Sequence, residues 1–239
     1  MTKLINRLKY YGIGFLLGLI FVFFFFQNRG CSWLPENRVK NTLLGKVIAL
    51  PENEAQELEK IDVSDSAFLT LLDDGEIMFD ESLKDAELFP KVYVLQKEID
   101  GKLIRGQFSI YNDAFITVAE YLEDNKKAER KTNYLGKGEL IHFPLEESLV
   151  FFEADLVNCD LGTSQKKLHS KVLNALIDNG QIYFESSNLM ANKAEQHLSF
   201  FNKNKEEFTG KAIWFKTKIN FTSLQNAAGE MTKINCDFE

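Results

Sequence analysis

Hydrophobic positions along the chain repeat in two matching blocks. Phe68, Leu71 and Leu72 recur at spacings of three and four, as do Leu168, Val172, Leu173, Leu176 and Ile177. That period places them on one stripe of a helix. Each stripe runs into an acidic turn ending in glycine, Asp73-Asp74-Gly75 and Asp178-Asn179-Gly180. Beyond each glycine the pattern becomes strict alternation, Ile77 and Phe79 in one block, Ile182 and Phe184 in the other, which predicts a half-buried strand. The stretch LLDDGEIMFDES (Leu71–Ser82) returns as LIDNGQIYFESS (Leu176–Ser187), 105 positions later. Over Ala67–Ser82 against Val172–Ser187, six of sixteen positions are identical: Leu71/Leu176, Asp73/Asp178, Gly75/Gly180, Ile77/Ile182, Phe79/Phe184 and Ser82/Ser187. An internal repeat of this kind sets the architecture. Gly75 and Gly180 are expected at left-handed helix stops, with positive φ. The acidic residues read as caps and solvated turns.

Around the first block the pattern predicts a strand at Lys46–Leu50 and a helix at Pro51–Ile61 with proline in its first turn. Strands follow at Val92–Gln96, Leu103–Tyr111 and Phe115–Tyr121, with Asp100-Gly101 as a hairpin turn. Glu123–Lys131, EDNKKAERK, reads as a solvated linker. Leu140–Phe143 and Leu149–Leu156 read as strands, and the second helix is expected to cap near Thr163 or Ser164. Leu189–Gln196 is helical in composition. His197–Phe201, Ala212–Phe221 and Met231–Phe238 complete the strands, with Thr209-Gly210-Lys211 as the turn matching Asp100-Gly101-Lys102. The expected fold class is α+β. An N-terminal transmembrane helix is followed by two tandem related domains, each a helix packed on an antiparallel β-meander. The expected segments are a basic tail (1–9), a transmembrane helix (10–28), a connector (29–45), a first repeat domain (46–122), a linker (123–138) and a second repeat domain (139–239).

The transmembrane expectation rests on Tyr10 to Phe26, which carries no charge and just meets the length a bilayer core requires. The run ends in four phenylalanines and Gln27-Asn28-Arg29, without the small residues of a cleavage site, so an uncleaved anchor is favoured over a signal peptide. Asn28-Arg29-Gly30 is equally unsuited to lipidation at Cys31. Gly14 and Gly18 form a small-xxx-small pair, the pattern of a homodimer face between spans. The short basic tail and the long segment that follows place the N-terminus inside and the remainder, from about Asn28, in the periplasm.

Charge and candidate chemistry narrow the picture. The net charge is −7, and with six of the 28 basic residues and one acid in residues 1–40, the rest carries −12. That balance excludes nonspecific nucleic-acid binding, which needs a basic surface. His142, His169 and His197 lie at none of the spacings of a zinc site. Gly136-x-Gly138 is not a phosphate loop, and no serine occupies a nucleophile elbow. Catalytic, metal and cofactor residues are therefore all read as none. Cys159 and Cys236 would pair in an oxidising compartment or remain as buried thiols.

The N-terminal run GFLLGLIFVFFFFQNRGCSWLPENRVK resembles a group of uncharacterised single-span proteins of Bacteroidota. LLDDGEIMFDES followed by PKVYVL looks like a small domain of unknown function that those proteins carry. The likeness covers Asn28–Lys40 and about Asp62–Tyr121. It implies a compact α+β fold similar in outline to RelE and BrnT toxins and names no activity. Such toxins use basic and histidine side chains around the sheet, and no such cluster occurs here. The expected function is a non-catalytic binding or scaffolding module at the cell envelope, acting through an unknown protein partner. The alternatives are a subunit of a membrane complex held through the span, or a degenerate nuclease- or hydrolase-like enzyme. The enzyme alternative would require His142 or His169 set against two carboxylates.

Overall fold

The computed structural model describes residues 2–27, 34–112, 114–144, 149–159, 165–191, 193–215 and 218–238, with backbone alone at 2–8, 23–27 and 165. The chain divides into two compact units, Met1–Asn41 and Thr42–Glu239.

The first unit holds α1 (Thr2–Gln27) and the start of α2 (Pro35–Leu44). Tyr10 and its apolar neighbours as far as Val22 are exposed on α1. Among the described residues, no helix is long and apolar enough to cross a membrane. Phe26, expected at the end of the span, has its side chain outside the described residues. The single-pass anchor and the inner-membrane placement with periplasmic domains do not stand. The reading of Gly14 and Gly18 as a face between spans falls with them.

The second unit corrects the expectation of two tandem domains. Its strands are β1 (Val47–Pro51), β2 (Glu76–Ile77), β3 (Lys91–Ile99), β4 (Lys102–Ile110), β5 (Ile116–Tyr121), β6 (Lys137–His142), β7 (Leu149–Phe152), β8 (Gln181–Tyr183), β9 (Glu195–Phe201), β10 (Glu207–Phe215) and β11 (Lys218–Asn226). All belong to one mixed sheet in the order β2-β3-β4-β5-β1-β6-β8-β9-β10-β11-β7. The helices are α3 (Glu52–Lys60), α4 (Asp65–Asp74) and α5 (Gln165–Asn179). Neither half is a pure antiparallel meander, because β1 pairs with β5, and β7 with β11, in parallel. Parallel pairs require a long crossover, and in each half the helix and the meander supply it.

The duplication nonetheless holds in strand order, although among the described residues α3 has no α-helical counterpart. Strands β2-β3-β4-β5-β1 correspond in order to β8-β9-β10-β11-β7, and α4 corresponds to α5. Strand β6 has no counterpart. It joins the halves by pairing antiparallel with β1 on one edge and β8 on the other. The halves therefore follow one another along the sheet with a half-turn about that direction, and equivalent faces look to opposite sides. Phe68 of α4 packs on the face bearing Gly106 and Phe108, its ring 5.9 Å from that of Phe108. Leu168, Val172 and Leu176 of α5 join Ala49, Val118, Leu140, Ile182 and Leu198, which belong to the other face. Both faces of β1 are thus buried, as expected of a strand with packing on each side.

The sheet curls strongly around α5. Phe115 lies beside β5 and Trp214 on β10, five strand steps away. In a flat sheet that is about 24 Å, yet the two rings lie 5.4 Å apart, and Phe143 stands 5.5 Å from the same indole.

Several local expectations change. Gly75 has φ −64°, and Gly180 also lies outside the left-handed region. A Cβ on Gly75 would stand 2.4 Å from the Leu71 carbonyl oxygen, and one on Gly180 2.3 Å from that of Leu176. Each glycine N–H donates to the same oxygen, at 3.1 and 2.9 Å. Glycine is needed for close approach, not for handedness. Gly210 lies inside β10, not in a turn; it matches Gly106, and a Cβ there would meet the Ser223 carbonyl oxygen at 2.6 Å. The hairpin turn instead spans Asn202 to Glu206, with Lys205 at φ 63°. Asp100 and Gly101, at φ 51° and 76°, form the hairpin turn as expected. Ala212–Phe221 is divided between β10 and β11, and Leu189–Gln196 forms no helix among the described residues. Met231–Phe238 pairs only through isolated bridges. The caps at Thr163 and Ser164 lie outside the described residues.

Candidate binding faces

Ser82 and Ser187 occupy equivalent places. The Ser82 hydroxyl donates to the Met78 carbonyl at 2.7 Å and accepts from Val94 N at 3.1 Å, while Ser187 Oγ accepts from His197 N at 2.8 Å. Phe79 is half-buried beneath the Lys84 ammonium. Phe184 is fully packed, against the Tyr134 ring and over Gly138. Cys159 and Cys236 form a disulfide, Cα–Cα 5.7 Å, within the usual span of such bonds. It ties the C-terminal tail beside Val157, which bridges Ile234. These residues hold the architecture and do not converge on one site.

The residues that do converge lie on the helix-free face of the first half. In-register pairing places Val94, Gln107 and Glu120 in one row across β3, β4 and β5. Glu120 is 2% exposed, and an unpaired carboxylate there would be costly. It is fully partnered. Lys131 pairs with Oε1, while Gln107 Nε2 and the Tyr134 hydroxyl donate to Oε2 at 2.6 and 2.9 Å. The Tyr111 hydroxyl donates to the Lys131 carbonyl at 2.9 Å. Burial raises both phenols above the usual tyrosine range. Burial, and then the charge of Glu120, also raises the carboxyl of Glu54, whose Oε2 accepts from Tyr121 N at 3.1 Å.

The segment 123–131 is solvated over Glu123–Lys127, but its end, Glu129–Lys131, is pinned as a strap. Glu129 N donates to Gln107 Oε1 at 3.2 Å. Arg130 reaches Asp85 at 2.5 Å and the Pro90 carbonyl at 3.2 Å, and Lys131 reaches Glu120. Two clefts flank the strap. One, of about 800 Å3, includes Arg105, Gln96, Leu83 and Leu103 opposite Lys126 and Lys127. The other, about 560 Å3, lies over Glu120 and is bordered by Glu54 and Glu57. Both fall within the size range of ligand sites. Arg105 in the larger cleft is buried and paired with Glu81. Sequence reading passed over Glu120, although a lone glutamate in the apolar strand ITVAEY signals a buried partner.

The helix-free face of the second half carries a different row. Lys137 is opposite Tyr183, His197 opposite Lys211, and Lys211 opposite Ser223. Tyr183 and His197 close the row, with ring centroids 5.1 Å apart. Lys137 Nζ stands 4.7 Å over the Tyr183 ring. The Ser186 hydroxyl and His197 Nδ1 are 2.7 Å apart, a distance that suits a nucleophile and base. Burial, and then Lys211, lowers the His197 pKa. His142 Nε2 lies 3.0 Å from the Leu44 carbonyl, and the His169 ring lies 5.8 and 6.2 Å from those of Phe151 and Phe152. Among the described residues no group of three or more His, Cys, Asp or Glu is placed to hold a metal.

No protein-family model, curated protein or solved structure matches the chain.

Proposed function

We propose that the protein is a non-catalytic binding module whose contact surfaces are the helix-free faces of its sheet. The observation that supports this reading most directly is the strap: an extended segment of the chain itself is seated on one of those faces and held there by side chains of the sheet. The sheet row supplies a carboxylate and an amide, and the seated segment supplies an ammonium and a backbone N–H. A polar sheet face that holds an extended segment in this way is suited to hold a partner's segment too.

The test is selection of peptides from a random library against the purified chain, with each bound peptide mapped by amide-exchange protection. Protection across β3–β5 or β8–β11 is expected. Ligands that protect only α4 or α5, or a library that yields no ligand, would overturn the reading.

A further inference from the structure

The internal duplication allows one face to be read against the other. Leu95 lies opposite Ile77 and Gly106, as Leu198 lies opposite Ile182 and Gly210. Gly106 lies opposite Tyr121, as Gly210 lies opposite Leu224. One residue along, Gln107 corresponds to Lys211 and Glu120 to Ser223. These two positions are the ones on which the strap is seated in the first half. Among the described residues, no segment is seated on the second.

The chemistry there is reversed in sign. Where the first half presents Gln107 and the Glu120 carboxylate to the strap, the second presents the exposed ammonium of Lys211 and the Ser223 hydroxyl, with Lys137 over Tyr183 at the other end of the row. Lys193 lies 4.8 Å over Phe215 further along β10. The charges nearest Lys137 are Glu207 and Glu52, and Tyr183 donates to Glu207 at 3.4 Å. Lys137 is therefore partly neutralised, and Lys211 and Lys193 are the outward cations. Between Lys137 and Lys211 lie the flat rings of Tyr183 and His197, a surface that takes planar or apolar groups, whereas Glu195, opposite Ile213, lies between Lys211 and Lys193.

We propose that the row Lys137–Tyr183–His197–Lys211 is a docking groove for an extended acidic segment of a partner protein. The proposal rests on the binding-module reading and names the occupant of one of its two faces. Lys137 and Lys211 stand three strands apart, about 14 Å at ordinary strand spacing. An extended chain rises about 3.4 Å per residue, so carboxylates four residues apart reach both cations. The residues between them would cross Tyr183 and His197. Attraction between exposed charges of this kind weakens as salt screens it.

The experiment uses the full chain and fluorescein-labelled nonapeptides with two glutamates four residues apart. Matched peptides carry glutamine or lysine at the same places, and a nine-nucleotide single-stranded RNA serves as a polyanion control. Fluorescence polarisation gives affinity, and the His197 ring resonance reports the location. The glutamate peptide alone is expected to bind and to shift His197. Lys211→Glu is expected to weaken it at least tenfold, and Lys211→Arg to preserve it. Equal binding of glutamate and glutamine peptides, equal binding of RNA, or insensitivity to Lys211→Glu would each overturn the proposal. If library-selected peptides still protect a helix-free face in those cases, the module reading stands; if none does, both fail.

Discussion

Lys131 and Glu120, eleven positions apart, form the ion pair that fastens a charged connecting segment onto the sheet. The carboxylate is buried and the ammonium is partly open to solvent, so the two partners do not contribute alike. Lys131→Met should lower unfolding free energy by roughly 1–3 kcal/mol, because it strips a buried acceptor of its charged donor. The double variant with Glu120→Gln should cost less than the two single changes added together, because both remove one shared interaction. Urea unfolding of the four proteins checks this.

Glu54 gives a pH-dependent counterpart. Its folded pKa is raised above 4.5, first by burial and then by Glu120. A raised carboxyl favours the folded state when protonated, and that contribution is lost as pH rises through the folded pKa. Glu54→Gln should therefore raise the urea midpoint at pH 7, keep an acceptor for Tyr121 N, and give no advantage below about pH 4. A gain of equal size at both pH values would contradict the assignment.

The two block-ending glycines should be intolerant of a side chain for a steric reason. Gly75→Ala and Gly180→Ala should each cost about 1–3 kcal/mol, as overpacking does. A D-alanine at Gly75, introduced by semisynthesis, should not recover the loss. Recovery would point to a left-handed backbone, contrary to φ −64°.

The disulfide Cys159–Cys236 joins residues 77 positions apart. Closing a loop of that length removes unfolded-state entropy worth about 4 kcal/mol. Reduction, or Cys236→Ser, should lower the unfolding free energy by up to that amount, measured by guanidinium titration with and without reductant. Unchanged unfolding on reduction would show that the bond does not constrain the chain.

Much of this was legible from the pattern of residues, and the remainder has physical reasons for being hidden. The apolar stripes of α4 and α5, the Asp100-Gly101 hairpin and the pairing of Ser82 with Ser187 are local, so period and turn chemistry expose them. The union of both repeats in one sheet depends on β6 lying between β1 and β8, and no local signal marks a strand that serves two neighbours. EDNKKAERK has the same composition whether it is solvated or pinned, and only Glu120 on β5 distinguishes the two. Gly210 reads as a turn in the sequence because glycine serves both turns and close strand packing. The row of Lys137, Tyr183, His197 and Lys211 comes from four strands and exists only through register. The single-span reading rests on composition alone, and among the described residues no helix is long and apolar enough to cross a membrane.

The half-turn that relates the two halves has a consequence for valency. Two like surfaces on one side of a molecule let a single bivalent ligand hold both, with a large gain in effective concentration. Here equivalent faces lie on opposite surfaces of one sheet, so a ligand lying on one surface meets only one of them and gains nothing from the other. Were the strap to leave its seat, each surface would offer one platform. Such a molecule takes one partner on each surface of its sheet.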